Sequence, residues 1–176
     1  METDSKTVQG QAQQALELDK AKLDRYLQQL RDNQNLVIGL LGGVVAATVG
    51  AVLWAVITAV TNYQIGWMAV GVGFLVGLAV RVCGNGVDTS FGVMGAALSL
   101  LGYLAGNLLA VCVVVARQEG MPLLELLSRL NPQIALGLLT ATFSPMDLVF
   151  YGLAIYEGYQ FSLRRLKPDE LAKLVK

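Results

Sequence analysis

The chain contains no histidine. That removes the side chain most often used as a general base near neutral pH and the commonest nitrogen ligand for zinc or haem iron. Cysteine is almost as scarce. Cys83 and Cys112 are the only two and no Cys-x-x-Cys occurs, so neither a metal site nor a cofactor is expected. Charge is also short, at 15% of residues, where a soluble domain carries about 25%. Between Asn33 and Leu163 the basic residues are only Arg81, Arg117 and Arg129, and the acidic ones only Asp88, Glu119, Glu125, Asp147 and Glu157. With 13 basic and 13 acidic residues the formal charge is zero, and no basic excess points to nucleic acid. Catalytic constellations are missing as well: there is no Gly-x-Ser-x-Gly. Asp147 and Glu157 stand ten residues apart, about 15 Å along a helix and too far to work as a carboxylate pair. These absences argue against an enzyme.

What is present is apolar. Hydrophobic residues make up 55% of the chain, and the mean hydropathy is +0.55. Nineteen glycines fit the same solvent, because glycine is commoner in membrane helices than in soluble ones. The pattern predicts an all-α integral membrane protein with four transmembrane helices, at 36–60, 65–83, 91–116 and 145–163. The first 35 residues are polar and hold no short apolar core before a cleavage site, so the run from Leu36 is expected to be a retained membrane helix.

Small residues recur every four positions along the first two predicted spans. Gly42, Ala46 and Gly50 form one row on the first, Gly43, Ala47 and Ala51 a second, and Ala69, Gly73 and Gly77 a row on the next span. Such rows let helix backbones approach closely. The glycines from Gly71 to Gly77 have neither the spacing nor the preceding strand of a nucleotide-binding loop. The third span, with small residues from Gly95 to Ala110, carries one amide, Asn107. From 117 to 143 the chain turns amphipathic, and 133–142 is too short to cross, so two interfacial or re-entrant helices are expected there. Ser144-Pro145-Met146-Asp147 then reads as a helix start, with serine as N-cap, proline in the first turn and aspartate facing the positive dipole end.

The N-terminal arm, 1–35, is cytosolic and amphipathic in this reading. Leu16, Leu23, Leu27 and Leu30 share one helical face, suited either to the chain's own membrane domain or to a coiled coil with a partner. A basic tail, 164–176, ends the chain with a short surface helix from Pro168. Lys and Arg set the orientation. With four spans, the arm, the 81–90 loop and the tail share a side, and their basic residues outnumber those opposite by eleven to two. Both termini are therefore expected in the cytoplasm. Cys83 and Cys112 then differ too much in depth to form a disulfide.

Polar groups inside hydrocarbon cost several kcal/mol unless paired, hydrated or snorkelling. Arg81 and Glu157 fall at comparable depth and are expected to pair across the second and fourth spans, with an exposed interfacial Glu157 or a transport role as the other readings. Asn107 is expected to bond between helices and Asp147 to cap one. Trp54, Trp67, Tyr63 and Tyr151 read as interface belt or packing.

Two stretches, Tyr63 to Arg81 (YQIGWMAVGVGFLVGLAVR) and Phe143 to Gln160 (FSPMDLVFYGLAIYEGYQ), resemble small bacterial four-span inner-membrane proteins of no established activity. The resemblance covers roughly residues 36–163. It implies a bacterial inner-membrane location and supplies no mechanism. The function expected is a non-enzymatic scaffold or accessory subunit, in membrane lipid, self-associating or joined to another membrane protein. A small channel or transporter, with a polar path near Arg81, Asn107 and Glu157, is the alternative.

Overall fold

The computed structural model describes residues 20–63 and 66–164. The start of the predicted arm with Leu16, residues 64 and 65 at the predicted start of the second span, and the tail helix from Pro168 lie outside the described residues. Among the described residues all regular structure is helical. The chain is helical over residues 20–32 (α1). Asn35 then adopts an extended backbone and its side chain accepts a hydrogen bond from Ile38 N, which starts α2, Leu36–Thr61. Two asparagines in the left-handed region, Asn62 and Asn85, end α2 and α3, Met68–Gly84. Helix α4, Thr89–Gln118, stops at Gly120, whose φ of 63° lets Met121 N reach back to Ala116 O at 2.9 Å. Helices α5, Leu123–Ser128, and α6, Pro132–Ala141, follow. Helix α7, Pro145–Ser162, starts at the expected cap: Ser144 and Asp147 form a reciprocal capping box.

Two helices, α2 and α4, are long and apolar enough to cross a membrane. Helices α6 and α7 qualify only together, and they are bent by 112° at the break between them. Helix α3 has 17 residues, about 26 Å against a hydrocarbon core of about 30 Å. The count is therefore two or three by length and composition, below the four predicted. The surface is apolar where a soluble protein would be polar. Val37, Leu41 and Val45 on the outer face of α2 are 64%, 61% and 63% exposed, and only 28% of the most apolar stretch of α2 is buried inside the protein. So wide an apolar face suits lipid and not water.

Helices α2, α3, α4 and α7 make the core, where Trp54, Val72, Val76, Val80, Phe91 and Tyr103 are at most 1% exposed. The small-residue rows set how closely they pack. A Cβ added at Gly42 would lie 2.6 Å from Cys83 Sγ, and one at Gly50 would lie 3.2 Å from Val72, so this row faces α3. The neighbouring row faces α4, where Ala47 and Ala51 lie against Gly102 and Gly106. Ala46 and Ala69 are buried. Gly73 and Gly77 turn to α7: an added Cβ would meet Ala154 O at 3.0 Å and Phe161 Cβ at 2.8 Å. Both rows of α2 are thus used within one chain.

The helix ends near Leu36 and Gly84 are tied by the loop that joins α3 to α4. Asn35 N donates to Gly84 O at 2.9 Å and Arg164 N to Gly86 O at 2.8 Å. Gln34 Oε1 accepts from Val87 N at 3.2 Å, the Gln34 amide donates to Asp88, and Arg31 pairs with Asp88 at 3.0 Å. The arm's base is fixed to this loop.

Candidate functional site

Glu157 and Arg81 are the charges expected to pair between α7 and α3. Each is half-exposed on the α3–α7 side. The expected pair between them is not formed. The ion pairs among the described residues are Arg31–Asp88 and Glu125–Arg129, the latter at 2.8 Å. Helix register is the reason. The Cβ of Glu157 lies against Gly73, and Gly77 faces the main chain of Glu157 and Gly158 together with Phe161. Arg81, one turn past Gly77, therefore falls opposite the last turn of α7, beyond Glu157. The two depths differ by about one helical turn, since Arg81 stands two residues inside position 83 and Glu157 six inside position 163. Among the described residues neither side chain has a polar partner.

Asn107 sits on α4 at 6% exposure and has a partner. One turn before it, Tyr103 anchors a cluster that the residue pattern did not reveal. Its hydroxyl donates to Asp147 Oδ1 at 3.2 Å, while Asp147 Oδ2 accepts from Ser144 N at 2.8 Å. The Tyr103 ring meets Trp54 edge-on at 5.3 Å and Tyr151 at 4.9 Å, and Tyr151 stacks on Phe143 at 6.4 Å. Edge-to-face rings of this kind add about 0.5–1.5 kcal/mol per pair beyond area burial. Both carboxylate oxygens are engaged, and α7's dipole favours the charge. The arrangement is a brace that holds the start of α7 at the middle of α4. Asp147 caps, as expected, and also binds across helices. A tyrosine one turn from the lone amide of a span was the available signal for it.

Among the described residues, three cavities border α2. One of about 440 Å³ lies against α3, between Leu41, Gly42, Val45, Ala46, Leu75 and Cys83. Another of about 290 Å³ lies against α4, between Ala47, Thr48, Ala51, Leu98 and Gly102. Both are apolar. The third, about 210 Å³, is at the far ends of α2 and α4, where Thr58, Asn62, Arg117 and Gln118 line it. There Arg117 donates to Asn62 Oδ1. Trp54 Nε1 and Thr58 Oγ1 are buried near it without a hydrogen-bond partner among the described residues. None of the three cavities is lined by Arg81, Asn107 or Glu157, so they offer those residues no common path.

No group of three or more His, Cys, Asp or Glu among the described residues could hold a metal ion. Cys83, exposed, and Cys112, buried, are both free thiols. The chain matches no protein-family model, no curated protein and no solved structure.

Proposed function

We propose that the protein is a non-enzymatic scaffold or accessory subunit of the bacterial inner membrane, self-associating or bound to another membrane protein. In this reading α2, α3, α4 and α7 all cross, α5 and α6 lie at the outer interface, and both termini are cytoplasmic. The 17 and 18 residues of α3 and α7 reach about 26 and 27 Å, within the range a slightly thinned bilayer accommodates. The bend before α7 supports α6 as a separate interfacial segment. The eleven-to-two bias of Lys and Arg supports the orientation.

One observation carries the partner reading. Glu157 lies five residues before the end of α7, about 8 Å along the helix, and has no ionic partner among the described residues. A carboxylate at that depth is costly in a self-contained bundle. A second protein that brings a cation or hydrogen-bond donor to the α3–α7 face would offset that cost, and Arg81 on the same face offers the complementary charge. The close-packing rows do not add to this argument, since α3, α4 and α7 already occupy them.

The test is photocrosslinking in the native membrane from a benzophenone amino acid placed at Phe74 or Tyr156, beside Glu157, with Val93 as a reference site. The reading expects a specific adduct from the first two positions, lost on Glu157→Gln. Absence of any adduct, with a monomer by native mass spectrometry in mild detergent, ends it.

A further inference from the structure

Helix α1 presents an amphipathic face, and its base is tied to the bundle. Within residues 20–32 the apolar side chains are Leu23, Tyr26, Leu27 and Leu30, all half-buried, apart from the small Ala21. At about 100° per residue these four fall on one stripe, and Lys20 and Lys22 flank it about 70–90° to either side. Neither lysine makes an ion pair among the described residues. Asp24, Arg25, Gln28 and Asp32 occupy the other faces.

Two features fix the base of α1. Gln34, two residues past the helical stretch 20–32, bonds the α3–α4 loop through Val87 and Asp88. Arg31, at the stripe's edge, pairs with the same loop. The base of α1 is therefore held against the loop at the end of the bundle. The extended backbone of Asn35 breaks the line between α1 and α2, so α1 is not a simple continuation of a membrane-crossing helix. Immediately beyond that break, Leu36, Val37 and Ile38 are 49%, 64% and 50% exposed, which puts the root of α1 at the edge of the apolar belt.

We infer that α1 lies in the membrane surface, with Leu23, Tyr26, Leu27 and Leu30 sunk among the headgroups and Lys20 and Lys22 on lipid phosphates. The occupant of the stripe is the anionic lipid surface of the leaflet next to the α3–α4 loop. An apolar stripe edged by lysines combines the two terms that hold interfacial helices, buried area and attraction to anionic lipid. The latch formed by Arg31 and Gln34 contributes the third: it fixes the rotation of α1 about its own axis, so that docking orders little further chain. The inference rests on the reading of α2–α7 as a membrane bundle, and the experiment separates the two.

Nitroxide labels are placed singly, in a Cys83→Ser, Cys112→Ala background, by Leu23→Cys, Leu27→Cys, Asp24→Cys, Gln28→Cys and Val45→Cys. The full chain is reconstituted in nanodiscs of phosphatidylglycerol or of phosphatidylcholine. Accessibility to oxygen and to a water-soluble nickel chelate is then read at each site. The expected result is a several-fold higher oxygen-to-nickel ratio at 23 and 27 than at 24 and 28 in phosphatidylglycerol. That contrast falls in phosphatidylcholine, and the docked-to-free ratio drops by about fivefold for each of Lys20→Gln and Lys22→Gln. Water-like values at all α1 sites, with Val45→Cys in lipid, overturn this inference and leave the bundle standing. Water-like values at 45 too remove the bundle and the inference together. Sites 23 and 27 shielded from both reagents, with dipolar broadening, mean that a second copy covers the stripe and overturn it as well. Equal docking on the two lipids overturns the assignment to an anionic surface.

Discussion

At the crossing of α4 and α7 two glycines face each other, and the effect of filling one of them can be worked from the distances. A Cβ added at Gly95 would lie 2.6 Å from Gly158 O, and one at Gly158 would lie 2.6 Å from Gly95 O. Ordinary contact at carbon begins near 3.5 Å, so either methyl forces the helices apart by about 1 Å. A gap of that size forfeits about a quarter to a half of the dispersion between the separated surfaces, and overpacking of this kind costs about 1–3 kcal/mol. Ser162, whose hydroxyl donates to Gly158 O at 2.6 Å, must also turn away from a methyl at position 95, at about 1 kcal/mol for the bond. Against this stands about 1 kcal/mol gained from replacing glycine by alanine in a helix. Gly95→Ala is thus expected to destabilise by about 1–3 kcal/mol. Gly71 on α3 and Gly152 on α7 have nothing within 4 Å of an added Cβ, so Gly71→Ala and Gly152→Ala should stabilise by about 0.5–1 kcal/mol. The assay is reversible unfolding in mixed micelles followed by far-ultraviolet circular dichroism. The sign is the test: if Gly95→Ala raises stability as Gly71→Ala does, the helices do not cross here. Gly95→Ala with Gly158→Ala should cost less than the two singles combined, because one separation relieves both clashes.

Other consequences follow from the same contacts. A cycle of Tyr103→Phe and Asp147→Asn should return a coupling of about 1–2 kcal/mol in the same unfolding assay, since the hydroxyl donates to the carboxyl group across the two helices. The cycle of Arg81→Gln and Glu157→Gln should return less than about 0.3 kcal/mol, because register keeps the two apart. Arg31→Ala should cost less than about 1 kcal/mol, as its side chain is 62% exposed in the pair with Asp88. Gln34→Ala should cost more than Arg31→Ala, because it removes the acceptor of Val87 N and the donor to Asp88 together. Under native conditions in detergent a maleimide should modify Cys83 and leave Cys112 unreacted until the protein unfolds; equal rates would refute the burial of Cys112, which is 0% exposed.

Local chemistry made much of the helix plan legible. Ser144 to Asp147 announced the start of α7 because a cap, a proline and an acid at the dipole's positive end act within one turn. Gly42, Gly50, Gly73 and Gly77 were readable as contact positions, since a four-residue period puts them on one face and only a small residue admits a neighbouring backbone. The composition likewise told that lipid suits this surface. Which helix each small row would meet was not legible, because a row of glycines accepts any backbone. Only the packed helices show that α3 lies on one row of α2 and α4 on the other.

Long-range register belonged to the tertiary structure alone. The expected Arg81–Glu157 pair needs the two residues level, yet they lie two and six positions inside their predicted span ends. The seating of Gly73 and Gly77 on Ala154 and Gly158 keeps those ends nearly level and so leaves Arg81 about a turn past Glu157. The packing of α7 on α4 brings Asp147, a local cap by its sequence, to Tyr103 forty-four residues away. Sequence by itself determined which segments are helical, which of them are apolar, and where small residues allow close approach, since each depends on neighbours within a turn or two. Only packing decided which polar groups meet, because a shift of one helical turn between two helices leaves each sequence unchanged and alters every contact between them.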